Sequence, residues 1–367
     1  MKKAVIYGAG NIGRGFIGHL LSQSNYALCF VDVDQALCDE LNRRGAYPVR
    51  VLHGGHEDIV RYVRAVSGRD TGAISEAVAQ ADLMATAVGV GALPHIAVPL
   101  AAGITQRFES GAGPLDILLC ENKLDAGAYL RALVYAALSP RAKAWAEQSI
   151  GFVEASVGRM VPVQTDEMRG GDPLRICVEA YAELPVDKAA FRGELPAIAG
   201  LLPAQPFAFY MERKLYVHNM GHAVAAYLGF QRGYTYIWEA MGDPSIKNAV
   251  HGAMRESAAA LCKKYGCAPS LLQAYILDLL PRFANKRLED TIARVGRDLP
   301  RKLADSDRLF GAARLCEEQG VGNANILKGI GAALLFDDDG KRLTLRTLRR
   351  MADAVAEEMK GYDAQVS

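Results

Sequence analysis

The sequence has no excess of charge of either sign, no C-x-x-C motif, no internal repeat and no low-complexity tract. Lys plus Arg number 42 against 41 Asp plus Glu, a formal net charge of +1. So balanced a chain gives no global reason to expect nucleic acid or an anionic membrane as a partner. The seven cysteines, Cys29, Cys38, Cys120, Cys177, Cys262, Cys267 and Cys316, are odd in number and scattered. That distribution predicts reduced, buried thiols in a cytoplasmic protein rather than a disulfide framework. A clean membrane span is also missing. The stretch from Met84 to Ile104 is apolar, but Pro94, His95 and Pro99 interrupt it, so it reads as strand, loop and helix. Met1-Lys2-Lys3 before Ala4-Val5-Ile6 opens like a signal peptide. Gly8, Gly10, Asn11 and Arg14 end that apolar region early, and a strand is expected there instead.

What the chain does have is apolar mass, 50% of 367 residues, enough for two or three domains. Short apolar runs at Ala4–Tyr7, Leu28–Val31, Leu83–Val88, Ile117–Cys120 and Phe152–Ala155 read as strands, with helical patterns between several of them. Arg175–Ala182 reads as a further strand, in a segment from Val157 to Pro203 appended to the first domain. From about Met211 long amphipathic patterns take over: Ala249–Lys264, Ser270–Phe283, Ile326–Leu335 and Leu345–Met359. The junction falls at Pro203–Pro206, where two prolines disfavour a continuous helix. The division predicted is 1–205 and 206–367. It implies an α/β chain with an N-terminal Rossmann-type doubly wound sheet and a mainly α-helical C-terminal domain.

Gly8-Ala9-Gly10-Asn11-Ile12-Gly13 lies between the first strand and the first helix and matches G-x-G-x-x-G. The first glycine permits the tight turn, the second lets backbone approach a pyrophosphate, and the third lets helix and strand pack closely. The helix N-terminus then offers unpaired N–H groups to the phosphates. Asp32 ends the second strand, where a carboxylate accepts from a ribose diol and repels a 2′-phosphate, which favours NAD over NADP. FAD is the competing cofactor, and Asp34 the competing ribose ligand.

The densest polar stretch flanked by apolar sequence runs from Met211 to His222. On an α-helix Lys214, His222 and Asn219 would point at about 0°, 80° and 140°, lining one side of a cleft. Transfer of hydride to or from a carbon–oxygen bond needs a base for the alcohol proton and donors for the developing alkoxide. A lysine and an asparagine amide can fill those roles. Read by themselves, these residues also fit a solvated helix face.

Lys214-x4-Asn219-x2-His222, followed by Ala223-Val224-Ala225-Ala226-Tyr227-Leu228-Gly229, resembles the signature of the polyol-specific long-chain mannitol dehydrogenase family. The opening Tyr7 to Gly18, Thr86-Ala87-Val88-Gly89, Cys120-Glu121-Asn122 and Arg294-Val295-Gly296-Arg297 are similar to that family too, and the chain length fits its phosphate-specific branch. The resemblance implies NAD-dependent, metal-independent interconversion of a hexitol phosphate, mannitol 1-phosphate first, with a ketose phosphate. It implies Lys214 as general base, Asn219 and Asn122 as holders of the reacting oxygen, and His222 as the residue that orients lysine and substrate. Thr86 to Gly89, with Val88 and Gly89 as cofactor contacts, would pass the nicotinamide ribose. The partner is then a small sugar or polyol phosphate, bound by a monomer or homodimer. Two departures stand out. Gly158 replaces the family's usual aspartate and Lys123 its usual apolar residue, both at positions expected to border the substrate.

Arg282 to Lys302 holds seven basic residues and three acidic ones. Arg294, Arg297 and Arg301 are the candidates there for a substrate phosphate; any one of them also reads as helix surface. Three motifs mimic other chemistry. Tyr210-x3-Lys214 is similar to the pair of short-chain dehydrogenases, Gly55-His56-Glu57 to a zinc alcohol dehydrogenase element, and His218 to a ligand; neither of the first two is expected to carry that chemistry, and His218 is expected to be structural. The rival readings are a β-hydroxyacid dehydrogenase, disfavoured by Lys-x4-Asn in place of Lys-x3-Asn, a non-phosphorylated polyol or hexuronate dehydrogenase, and a dinucleotide sensor without turnover.

Overall fold

The computed structural model describes residues 1–52 and 54–336, and the helix expected at Leu345–Met359 lies outside them. The strands are β1 (Lys2–Tyr7), β2 (Tyr26–Asp32), β3 (Ala46–Val51), β4 (Glu57–Arg61), β5 (Val63–Ser67), β6 (Leu83–Thr86), β7 (Leu115–Leu119), β8 (Ile150–Glu154), β9 (Ile176–Val178), β10 (Leu184–Asp187) and β11 (Leu201–Ala204). Six of them form one parallel sheet in the order β5-β2-β1-β6-β7-β8. The order reverses direction at β1. In such sheets ligands bind beyond the carboxyl ends of the strands at that switch point.

Alternation along each strand decides what covers the sheet. Ala4, Ile6, Leu28, Phe30, Leu83 and Ala85 enter one apolar cluster. Val5, Tyr7, Cys29, Val31 and Met84 enter the cluster on the other face. Both faces are buried, and this is why the strands read as continuous apolar runs. The Met84–Ile104 stretch divides into β6, a short turn and the helix Leu93–Glu109, and no described helix is long and apolar enough to cross a membrane. Two smaller sheets are added: β4-β3-β9, and the parallel pair β10-β11. Of the expected strand over Arg175–Ala182, only Ile176–Val178 pairs, against Val49–Val51 of β3.

By its packing the chain divides into two compact units, Met1–Met211 and Glu212 onward. The helix Phe207–Glu212 stays with the first unit up to Met211, since Phe207 and Phe209 are buried and Ser156 Oγ donates to the Tyr210 carbonyl at 3.3 Å. The described part of the second unit is helical. Its helices Pro244–Tyr265, Pro269–Phe283 and Ala324–Ala333 fall on the predicted periodic segments. At its centre lies Met220–Gln231, buried almost throughout. Small residues permit this. A Cβ on Gly221 would lie 2.7 Å from Met254 Cγ, and one on Gly229 2.7 Å from Ile292 Cδ1.

One buried cation holds the back of the large sheet together. Arg107, 6% exposed, donates from Nε to Gly113 O at 2.7 Å and from Nη2 to Pro114 O at 2.9 Å. Its Nη1 reaches Ala79 O at 2.9 Å and Ala81 O at 2.8 Å. Only a guanidinium fork spans such a set. Arg107→Ala strands four carbonyls and should destabilise the first unit by about 3 kcal/mol or more. Arg107→Lys should recover less than half of that loss. Urea denaturation reads both, and an unchanged midpoint for the alanine variant would contradict this role.

Candidate functional site

The glycine loop is shaped by backbone contacts that no side chain could survive. Gly8 has φ +98°, and a Cβ there would lie 2.5 Å from the Ala87 carbonyl oxygen. A Cβ on Gly13 would lie 1.9 Å from Gly8 O, whereas above Gly10 there is nothing within 4 Å. Open space over the second glycine is the opening a pyrophosphate needs. Asp32 does two things here. Its Oδ2 accepts from Ala9 N at 2.6 Å and its Oδ1 from Asp34 N at 3.0 Å. The carboxylate therefore fixes the loop, with lone pairs left over for a ribose diol. Asp34 takes a different task, accepting from Leu37 N to cap the helix Gln35–Arg44.

The loop is braced from behind by residues the motif does not include. Arg14 is buried and donates to Ala9 O and to Leu174 O, each at 2.7 Å. Arg159 donates to Gly15 O at 2.9 Å, reaches His19 Nδ1 at 3.1 Å and lies over the Phe16 ring at 5.1 Å. Asn11 donates to Pro162 O at 3.4 Å. The segment after β8 is thereby docked on the helix that follows the loop, and that helix is a π-helix over Gly13–Gly18. Gly158 in this segment packs against Tyr181, whose ring a Cβ would meet at 3.0 Å. Lys123 lies over the Tyr129 ring at 5.3 Å.

Thr86 ends β6, and Asn122 lies exposed just past β7. Glu121, 5% exposed, joins the two strand ends. Its Oε1 accepts from Val88 N at 3.0 Å and its Oε2 from Gly89 N at 2.8 Å. Both N–H groups of the expected nicotinamide-side loop are thus taken, so Val88 and Gly89 could meet a cofactor by contact and carbonyl rather than by N–H. In the sequence Glu121 stands out only within the resemblance of Cys120-Glu121-Asn122, and its local signal is an acidic residue directly after an apolar strand.

In the second unit the backbone departs from the α geometry assumed for the sequence. Arg213–Asn219 is a π-helix, followed without a break by Met220–Gln231. Its i→i+5 pattern places Lys214 and Asn219 about one turn apart, closer in direction than the 140° of an α-helix. His222 follows in the next turn. Its Nε2 lies 3.3 Å from Asp290 Oδ2, and its ring stacks on Phe283 at 4.8 Å and 12°. Asp290, 7% exposed, also accepts from Arg294 Nε at 2.7 Å. Burial pushes the Asp290 carboxyl up, but the hydrogen bond and charge of His222, joined by those of Arg294, outweigh it and hold the group below the usual carboxylate range. An ionised Asp290 accepts from Nε2–H, and in the neutral ring that tautomer leaves Nδ1 as an acceptor. Asp290 was not singled out in the sequence, although its i,i+4 relation to Arg294 was visible there.

His218 is buried and 5.5 Å from the Phe283 ring. Burial, then the charges of Arg282, His222, Lys214 and Arg308, drive its pKa well below the ordinary value. It is a neutral packing residue beside Asn219. Of the phosphate candidates, Arg294 is paired with Asp290, and Arg301 with Asp298 and Asp307. Arg297 is exposed and forms no ion pair among the described residues. Lys302 is buried, donates to Val295 O at 2.6 Å and also to Arg297 O, and burial lowers it to about 8. Glu57 opens β4 of the small sheet and pairs with Arg175, and His56 just before it lies 3.7 Å from Asp58.

A glycine loop at the switch point of a parallel sheet, in a chain whose second unit carries lysine, asparagine and a carboxylate-held histidine on one helical run, has the plan of a two-part dehydrogenase. Comparison with known proteins agrees. Residues 2–200 match the mannitol dehydrogenase Rossmann domain and residues 207–362 the mannitol dehydrogenase C-terminal domain. The chain belongs to the mannitol dehydrogenase family. It is 46% identical over 335 residues to a mannitol-1-phosphate 5-dehydrogenase of Brevibacillus brevis, covering 91% of this chain and 86% of that protein. Two solved structures share the fold. A Pseudomonas fluorescens mannitol 2-dehydrogenase, in ternary complex with NAD and D-mannitol, has a TM-score of 0.74 and 17% identity, covering 91% of this chain and 78% of that one. A substrate-free D-sorbitol dehydrogenase has a TM-score of 0.78 and 16% identity, covering 90% and 79%.

Two expectations follow. Glu121→Gln places an amide NH2 against one of the two loop N–H groups. NADH affinity, read by fluorescence titration, should fall about tenfold, and unchanged affinity would leave the clamp without consequence for the cofactor. Because the folded Asp290 carboxyl is held low, its support of His222 is complete above the usual carboxylate range and fades as pH falls through the lowered value. Asp290→Asn should remove that support at every pH, lowering kcat about tenfold or more and flattening the acid side of the kcat profile. An acid limb identical to that of the parent would assign it to another group.

Proposed function

We propose that the protein interconverts a hexitol phosphate and a ketose phosphate with NAD, in the first instance D-mannitol 1-phosphate and D-fructose 6-phosphate. The observation that carries the reading is the helical run bearing Lys214 and Asn219 about one turn apart, with His222 held behind them by Asp290. The similarity to a mannitol-1-phosphate 5-dehydrogenase supports the substrate, and a carboxylate at Asp32 supports NAD over NADP.

When bound, NAD supplies nicotinamide C4 as the acceptor of the hydride. The chain's residues do the rest. Gly8, Ala9, Gly10, Asn11, Ile12 and Gly13 receive the pyrophosphate and Asp32 the ribose. Lys214 takes the hydroxyl proton, for which a neutral amine must be present at working pH. Asn219 donates an amide N–H to the developing alkoxide, and Asn122 is the second proposed donor. His222, with Asp290 fixing its Nε2–H, keeps Nδ1 as an acceptor that orients the lysine or a substrate hydroxyl. Of the three arginines, Arg297 is proposed first for the phosphate, because Arg294 and Arg301 already have carboxylate partners.

NADH oxidation with fructose 6-phosphate and fructose, and NAD reduction with mannitol 1-phosphate and 6-phosphogluconate, test this reading. Turnover only with fructose 6-phosphate and mannitol 1-phosphate is expected. Preference for 6-phosphogluconate would favour a β-hydroxyacid dehydrogenase, and NADH binding without turnover a sensor. Lys214→Ala should lower kcat by about 10²- to 10⁴-fold with NADH affinity retained; normal turnover would reassign the base. Arg297→Ala should raise KM for the phosphorylated ketose at unchanged kcat, while Arg294→Ala, acting through Asp290, should lower kcat. The reverse pattern would move the phosphate to Arg294.

A further inference from the structure

The end of the long helix Pro244–Tyr265 carries two cysteines that the activity does not use. Gly266 takes the left-handed conformation at φ 67°, and the N–H groups of Gly266 and Cys267 both return to the Cys262 carbonyl, the latter at 3.2 Å. This is the glycine-terminated helix end in which the residue after the glycine packs on the third residue from the helix end. Those two contact positions are ordinarily apolar. Here both are cysteine, and Cys267 Sγ lies 2.9 Å from Cys262 Sγ. The hydrogen bond from Cys267 N to Cys262 O holds the two backbones close and the sulfurs are already in contact, so joining them asks chiefly for side-chain rotation.

The residues around this pair grip two other parts of the second unit. Lys263 Nζ donates to Gln319 O at 2.9 Å and Gly320 O at 3.3 Å, at the end of the helix Phe310–Glu318. Lys264 Nζ donates to Glu212 Oε1 at 2.8 Å and Oε2 at 3.0 Å. Glu212 directly precedes the π-helix that bears Lys214. The cysteine pair therefore brackets a junction between three helical segments, one of them the proposed catalytic run.

We propose that Cys262 and Cys267 form a reversible intramolecular disulfide, an oxidative modification site that stiffens this junction and alters turnover. The effect on turnover rests on the assignment of Lys214 above; the disulfide itself does not. The partner is a low-molecular-weight disulfide. Cys267, partly exposed, loses its proton and attacks one sulfur of that disulfide, releasing one small thiolate. Cys262 then loses its proton to water and attacks Cys267 Sγ in the mixed disulfide, releasing the second. Two protein thiols become one disulfide, and one small disulfide becomes two thiols. Cys262 is the second to react, since burial and then the Cys267 contact push its thiol up to about 12.

The test uses the full-length reduced protein treated with oxidised glutathione. Two of the seven thiols should be lost, peptide mapping should show a 262–267 link, and Tm should rise by a few degrees because the unfolded chain is constrained. kcat with fructose 6-phosphate should change at least twofold and return with dithiothreitol. Cys267→Ser and, separately, Cys262→Ala should abolish the link, the Tm rise and the kinetic change. Seven thiols surviving the oxidant, or a link between other cysteines, overturns the site. A 262–267 link with unchanged kcat and KM overturns its influence on turnover. If the protein proves to have no polyol activity, thiol count, mapping and Tm still decide the disulfide.

Discussion

The rest of the candidate site depends on one contact, the backbone of Gly8 pressed against Ala87 on one side and Gly13 on the other. No Cβ fits in either gap. Because the chain can pass there, Ala9 N comes within reach of Asp32 and the Ala9 carbonyl within reach of Arg14. Glu121 then ties the loop after β6 to the end of β7. The carboxyl edge of the sheet is held by two carboxylates accepting main-chain N–H groups, Glu121 buried and Asp32 half-buried, and such charge-assisted bonds strengthen with withdrawal from water.

A π-helix occurs on each candidate surface, at Gly13–Gly18 behind the glycine loop and at Arg213–Asn219 under Lys214. Such turns are rare and concentrate at functional sites. Their widened backbone must be stabilised from outside. In the first unit Arg159 and Tyr47 take carbonyls of the wide turn, Gly15 O and Arg14 O. In the second, Arg213 lies over Tyr275 at 4.1 Å and Tyr216 reaches Ser306 O at 3.3 Å. The unusual geometry is thus a property of the surrounding packing as much as of the local sequence.

That explains which parts of the molecule were legible in the sequence. β1, β2, β6, β7 and β8 were visible because a sheet buried on both faces writes itself as unbroken apolar runs. β4 was not, since charged Glu57, Asp58 and Arg61 leave only Ile59 and Val60 as apolar residues on a largely exposed edge strand of a small sheet. β10 and β11 are four residues each and contain Pro185 and Pro203, residues that argue against a strand. The Lys214–Asn219–His222 spacing was legible, but its direction was not, because helical periodicity presumes 3.6 residues per turn. Asp290 and Phe283 lie more than sixty residues from His222. Only the fold brings them together, so no local pattern could announce them.

Asp32 carries a consequence for inheritance. The carboxylate that would select one dinucleotide over another also closes the turn from which it selects. A replacement tolerant of a 2′-phosphate would give up two main-chain hydrogen bonds at the most crowded point of the loop. Cofactor preference in this chain is therefore not a separable trait that one substitution can trade. It is bound to the conformation of the loop, and a lineage changing one must rebuild the other in the same step.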